Sequence, residues 1–132
     1  VIMTLQLLNQ QREEKLSENI KVHKVFFAFS DKQFEENKTE LAGPEDKYVR
    51  FGPGCYIPKS QLEKYTAEEN KNSDWFRAQI KEHKLEKKEI LHQLYNHECF
   101  YTGDITDAVE ALGFYSYDEV YAVYLENYNL QE

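Results

Sequence analysis

The sequence predicts an α+β fold in which helices pack on a small antiparallel sheet, one strand plus a β-hairpin, with a helical C-terminal half. Three observations lead there. The run Val22 to Phe29 is dense in β-branched and aromatic residues, Gly52-Pro53-Gly54 separates two short apolar stretches, and from Asp74 onward apolar residues recur at helical spacing. A chain of 132 residues with 41% apolar and 14% aromatic residues is enough to close one core, so residues 1–132 read as a single domain.

Leu5, Leu8, Arg12 and Leu16 keep helical spacing inside a polar run. They predict a first helix that fades near Ser17 to Asn19, and its thin apolar stripe suits a peripheral element over residues 1–20. Val22 to Phe29 follows as a buried strand at the centre of the core. Ser30 and Gln33 then form a capping box, the hydroxyl accepting from the Gln33 amide while the Gln side chain returns to the amide of Ser30. The helix so opened should bury Phe34 and Leu41 and stop at about Ala42, before a left-handed Gly43 and Pro44. Tyr48 to Phe51 and Cys55 to Ile57 make the hairpin, closed by Pro58.

Ser60 with Glu63 predicts a second capping box and a short helix carrying Leu62 and Tyr65, which runs into a loop at the polar stretch Glu68 to Ser73. From Asp74 to about Asn96, Phe76, Ile80, Ile90, Leu91 and Leu94 share one helical face. Lys87 falls on that face, so either its stem snorkels or the helix breaks between Lys84 and Lys88. Ile105, Ala108, Val109 and Leu112 predict another helix, with Asp104 and Asp107 at its positive end and Gly113 past its last turn. Ser116 and Glu119 cap a terminal helix bearing Tyr117, Val120, Tyr121, Tyr124 and Tyr128.

Charge is unevenly distributed. The net charge is -8, yet all 16 Lys and Arg precede Glu89, and the 44 residues from Glu89 to Glu132 hold nine acids with seven of the ten tyrosines. Such a field repels phosphate backbones, so direct nucleic-acid binding is not expected. No apolar run approaches the ~20 residues of a membrane span, and the first residues lack a basic flank and a cleavage site. We therefore expect a soluble, cytoplasmic protein in which Cys55 and Cys99 stay free thiols.

Catalytic or metal chemistry has little to stand on. No HExxH or CxxC occurs, and on one continuous helix His83 would project with the apolar face while His92 lies almost opposite, which makes His83 a core or boundary residue. His97-Glu98-Cys99 is the one place where imidazole, carboxylate and thiol adjoin. A helix C-terminus, however, favours imidazolium and disfavours thiolate, so a cap by His97 and a buried Cys99 beside Phe100 is the plain alternative. Gly52-Pro53-Gly54 lacks the Lys and the following helix of a phosphate loop and reads as turn chemistry.

Three stretches carry a resemblance: Phe26-Phe27-Ala28-Phe29-Ser30-Asp31-Lys32-Gln33-Phe34-Glu35-Glu36, the hairpin Phe51 to Ile57, and Asn96-His97-Glu98 leading into Asp104 to Gly113. Over Val25 to Gly113 the chain resembles a family of short uncharacterised proteins of gut bacteria, often carried by phages or other mobile elements. The hairpin of that family reads GxGG before an aromatic and Ile, and Cys55 stands here in place of the last glycine. The resemblance implies a genomic setting and no mechanism.

The expected function is a small acidic interaction module, not an enzyme, with no cofactor or metal. Its surface would comprise Asp104, Asp107, Glu110, Asp118, Glu119 and Glu126 with Tyr117, Tyr121 and Tyr124, facing a partner protein with a basic groove. In its sharpest form this is an inhibitor that mimics DNA, carboxylates standing for phosphates on a nucleic-acid-binding host or defence protein. The plain alternative is a solvated face. The other readings are an enzyme or small-ligand or metal binder at His97, Glu98 and Cys99, and a structural part whose tyrosine row makes a homo-oligomer.

Overall fold

The protein, described by a computed structural model over residues 2–128, is α+β with a helical C-terminal half. In chain order its elements are α1 (Leu5–Val22), β1 (Phe26–Phe27), α2 (Asp31–Asn37), β2 (Tyr48–Gly52), β3 (Cys55–Pro58), α3 (Lys59–Glu82), α4 (Glu86–Asn96), α5 (Cys99–Thr102), α6 (Thr106–Leu112) and α7 (Tyr117–Tyr128). They fall into two compact units. One is Gln6–Ala78; the other comprises the described residues from Gln79 onward together with those up to Leu5.

In the first unit the sheet is antiparallel in the order β1-β3-β2. The hairpin forms where expected, with Val49 opposite Ile57, Arg50 opposite Tyr56 and an irregularity at Phe51. Gly54 has φ +67, a left-handed conformation that favours glycine, and a Cβ there would fall 2.4 Å from the Phe29 ring. Cys55 has no such positive φ, so its side chain is accommodated without backbone strain. Phe26 stacks on Tyr56 with centroids 5.5 Å apart and meets Phe34 and Tyr48 edge to face at 5.2 Å, which seats α2 on the sheet. Such pairs contribute roughly 0.5–1.5 kcal/mol each beyond their area.

Several expectations need correction here. The buried strand is only Phe26–Phe27: Val22 ends α1, and while Val25, Phe26 and Ala28 are buried, Phe27 and Phe29 are exposed. The Ser30 cap forms at 3.1 Å, but Gln33 returns to the amide of Phe29. The helix stops at Asn37 because Thr39 is drawn away, its hydroxyl donating to the Lys24 carbonyl and its own carbonyl accepting from the Tyr48 hydroxyl. Gly43 therefore belongs to a turn closed by the Asp46 amide and has no positive φ. Ser60 makes no box with Glu63. Its amide and hydroxyl both donate to Asp46, at 3.0 and 2.6 Å, and with the Ala42 and Lys47 amides these bonds hold the Asp46 carboxyl down to about 2.

The largest departure lies at Glu68 to Ser73, expected as a loop and found in the middle of the 24-residue α3. The reason is α1, which runs along it. Asn19, 3% exposed, donates to the Tyr65 carbonyl at 3.2 Å and to Glu69 Oε1 at 2.7 Å. Its own oxygen accepts from His23 Nδ1 at 2.6 Å. Further along, the Arg12 guanidinium lies 4.2 Å above the Phe76 ring and Lys15 Nζ 4.5 Å above the Trp75 ring. α1, expected as a peripheral helix, is thus tied to α3 through Asn19, Arg12 and Lys15.

Two long helices end without glycine. After α1, Val25 N donates to the Ile20 carbonyl at 3.0 Å with Lys24 at φ 61; after α3, Leu85 N donates to Ile80 O at 2.9 Å with Lys84 at φ 55. Both are Schellman endings in which a buried apolar residue follows the left-handed one. The second of them resolves the Lys87 ambiguity: the helix breaks before Glu86, and Lys87 points out to meet Glu126 Oε1 at 3.2 Å.

The second unit buries Ile90 and Leu94 of α4, Cys99 of α5, Ile105 and Ala108 at α6, and Val120, Val123 and Tyr124 of α7. Leu94, Cys99, Ala108 and Val120 are completely excluded from solvent. Local signals are obeyed here. Ser116 and Glu119 exchange both capping bonds at 3.1 Å, and Gly113 closes α6 at φ 70.

Two predictions follow from these contacts. Asn19→Ala strands a buried carbonyl and Glu69, and should lower stability by about 1–3 kcal/mol in urea titration. Because Asp46 has a depressed folded pKa, its stabilisation is complete above its unfolded value of about 4 and disappears as pH falls toward 2. The gap in Tm between the parent and Asp46→Asn should therefore be open at pH 7 and close across that window.

Candidate functional site

The six carboxylates expected to form one acidic surface lie on α6, α7 and the turn before α6, and all are exposed. They are not equivalent. Asp104 Oδ1 accepts from both the amide and hydroxyl of Thr106, at 2.9 and 2.7 Å, which caps α6 and holds the carboxyl below its usual range. Glu119 is engaged in the cap of α7, and Glu126 is ion-paired with Lys87. Asp107 and Glu110, three residues apart, share a face of α6, while Asp118 stands in the first turn of α7.

The tyrosines form a ladder. Tyr117 stacks on Tyr121 (6.1 Å, 17°), Tyr121 on Tyr124 (5.8 Å, 22°) and Tyr124 on Phe100 (5.2 Å, 16°), with Tyr95 beyond at 5.2 Å from Phe100. Its foot is in the core and its top is in water: Tyr124 is 6% exposed, Tyr117 52%. Tyr124 is therefore a packing residue and not part of an accessible surface, a correction forced by its place over Phe100. Along α7, Asp118, Tyr121 and Leu125 follow at i, i+3 and i+7, so exposed rings, an exposed aliphatic and a carboxylate share one stripe.

His97, Glu98 and Cys99 diverge. His97 is the half-buried C-cap of α4, Glu98 is exposed in a left-handed conformation, and Cys99 opens α5 inside the core. Burial pushes the thiol up, and the Asp104 and Asp107 carboxylates push it further. The hollow of about 400 Å³ beside Glu98 is walled by Leu94, Tyr95, Phe100 and Tyr101, with neither His97 nor Cys99. His83, expected at the apolar face, is exposed because α3 ends at Glu82, and the exposed His92 accepts from Asn96 at 3.4 Å. Among the described residues no three His, Cys, Asp or Glu side chains converge as metal ligands. No described helix is long and apolar enough to cross a membrane.

What the sequence reading missed lies in the other unit. Between α1 and α3 runs a groove of about 690 Å³ whose walls include Glu14, Glu18, Asn19 and His23 on one side and Glu68, Asn72 and Trp75 on the other. The available signal was spacing: positions 11, 14, 15, 18 and 22 make one stripe of α1, and positions 68, 72 and 75 one stripe of α3. Reading Glu68 to Ser73 as a loop erased the second stripe.

Native alkylation separates the two thiols. Cys55, half-buried at the turn, should react first with iodoacetamide, and Cys99 only at the rate of unfolding; equal rates would show that Cys99 is reachable in the folded state.

No curated protein and no solved structure matches the chain. A family model does, described as a family of unknown function (DUF7659) and spanning residues 8–126, from the first turns of α1 to late α7. The match takes in both units and extends past both ends of the stretch that carried the resemblance. The chain belongs to this family.

Proposed function

We propose that the protein is an interaction module that docks a basic partner protein through the exposed stripe of α7 and the adjoining carboxylates of α6. The observation that carries this is the ladder: Tyr117, Tyr121, Leu125 and Tyr128 leave four large apolar side chains in water on a helix of 12 residues. Tyrosine supplies broad contact area at little entropic cost and is enriched at interface hot spots. The stacking pre-orders the rings, since Tyr121 rests on Tyr124, which rests on Phe100 in the core. Asp118, Asp107 and Glu110 add a negative rim that speeds encounter with a basic surface and selects for it.

The finer form of the proposal is an accessory protein of a phage or other mobile element that occupies the nucleic-acid-binding groove of a host or defence protein. The lysine- and arginine-free C-terminal third and the resemblance to proteins on such elements support it. Mimicry by carboxylates alone is the weaker half, because Asp104, Glu119 and Glu126 already serve caps and an ion pair. The rings are the better candidates for the contact centre.

Charge reversal should therefore spare Asp104. The triple change Asp107→Lys, Glu110→Lys, Asp118→Lys should abolish salt-sensitive capture of a stoichiometric partner from host lysate, and Tyr121→Ala should weaken it by about 2 kcal/mol or more, as a hot spot does. Circular dichroism should show both variants folded. Capture that is unchanged by the triple reversal refutes an electrostatic docking face.

A further inference from the structure

The groove between α1 and α3 belongs to the unit Gln6–Ala78 and is independent of the α7 stripe. We propose that it is a binding site for a linear aliphatic polyamine, a flexible chain bearing several ammonium groups. The groove is an open hollow of about 690 Å³ walled by two helices. Its lining carries three carboxylates against one ammonium, that of Lys15. Glu14 and Glu18 stand one turn apart on α1, about 6 Å by helix geometry, and Glu68 belongs to the facing wall.

Asn19 spends its amide group on Glu69 and the Tyr65 carbonyl, so its oxygen accepts from His23 Nδ1 and holds that ring in the lining of the groove. The floor includes an aromatic face that already seats an ammonium: Lys15 Nζ lies 4.5 Å above the Trp75 ring. Lys15 is the one permanent cation of the lining.

Class follows from this arrangement. An anion would meet three carboxylates. A divalent metal ion needs ligands converging on one point, and among the described residues none converge in that way. Negative charge spread in single steps over the two walls of a groove, with an aromatic ring among them, instead matches positive charge spread along a chain. One ammonium would replace that of Lys15 over Trp75, and the others would pair with Glu14, Glu18 and Glu68.

Trp75 is the chain's one tryptophan, so its fluorescence reports on the groove directly. Spermidine and putrescine are titrated into the full chain at constant ionic strength, with calorimetry alongside. The expected result is a saturable change in Trp75 emission with one site per chain. Glu14→Gln, Glu18→Gln and Glu68→Gln should each weaken binding about two- to fivefold, the range of solvent-exposed ion pairs. Lys15→Met should strengthen it by vacating the ring, whereas Lys32→Met, which removes the same charge from α2, should leave it unchanged. The proposal is overturned if neither amine saturates, or if the triple glutamine variant responds like the parent. It is equally overturned if only a tetralysine peptide binds, since the groove would then read lysines of another protein.

Discussion

Asn19 is the residue on which the first unit turns. A buried amide with every donor and acceptor engaged fixes both the distance and the register of the helices it joins, because any slip strands a polar group away from water. From this follow the helical state of Glu68 to Ser73, the placing of Arg12 and Lys15 over Phe76 and Trp75, and the parallel walls of the groove. Tyr65, whose carbonyl Asn19 holds, packs in turn against Val25 and Ile57, so the same contact ties the helix pair to the sheet.

The second unit is organised by apolar packing that opens outward. Phe100 and Tyr124 are shared between the core and the ladder, and the stacking passes from them to rings that water reaches. Interior packing thus gives surface tyrosines an order that isolated side chains would lack. The acidic residues around them do two jobs: Asp104 and Glu119 accept from amides at helix N-termini and Glu126 pairs with Lys87, while Asp107, Glu110 and Asp118 stand exposed on α6 and α7.

Helix endings show where local rules succeed and fail. Gly113 and the Ser116–Glu119 box were legible because their chemistry lies within a few residues. Lys24 and Lys84 were not, since a left-handed lysine costs about 1–2 kcal/mol and has no sequence signature of its own. Each is held by the burial of the apolar residue after it, Val25 or Leu85, which is a tertiary event. Asp46 is similar: it caps α3 from 14 positions away, out of range of any local pattern.

By itself the sequence determined the α+β class, the hairpin with its glycine at position 54, the helix of Ile105 to Leu112 and its glycine exit, and the separation of charge that leaves the last third without Lys or Arg. These rest on periodicity, turn stereochemistry and composition, which act over a few residues or need no geometry at all. The tertiary structure alone decided that α3 is one helix, that Tyr124 is interior while His83 is not, and that a groove lies between α1 and α3. Each of these depends on partners far away in the chain, such as Asn19 with Glu69. A polar residue reveals its role only when the group that satisfies it is in place.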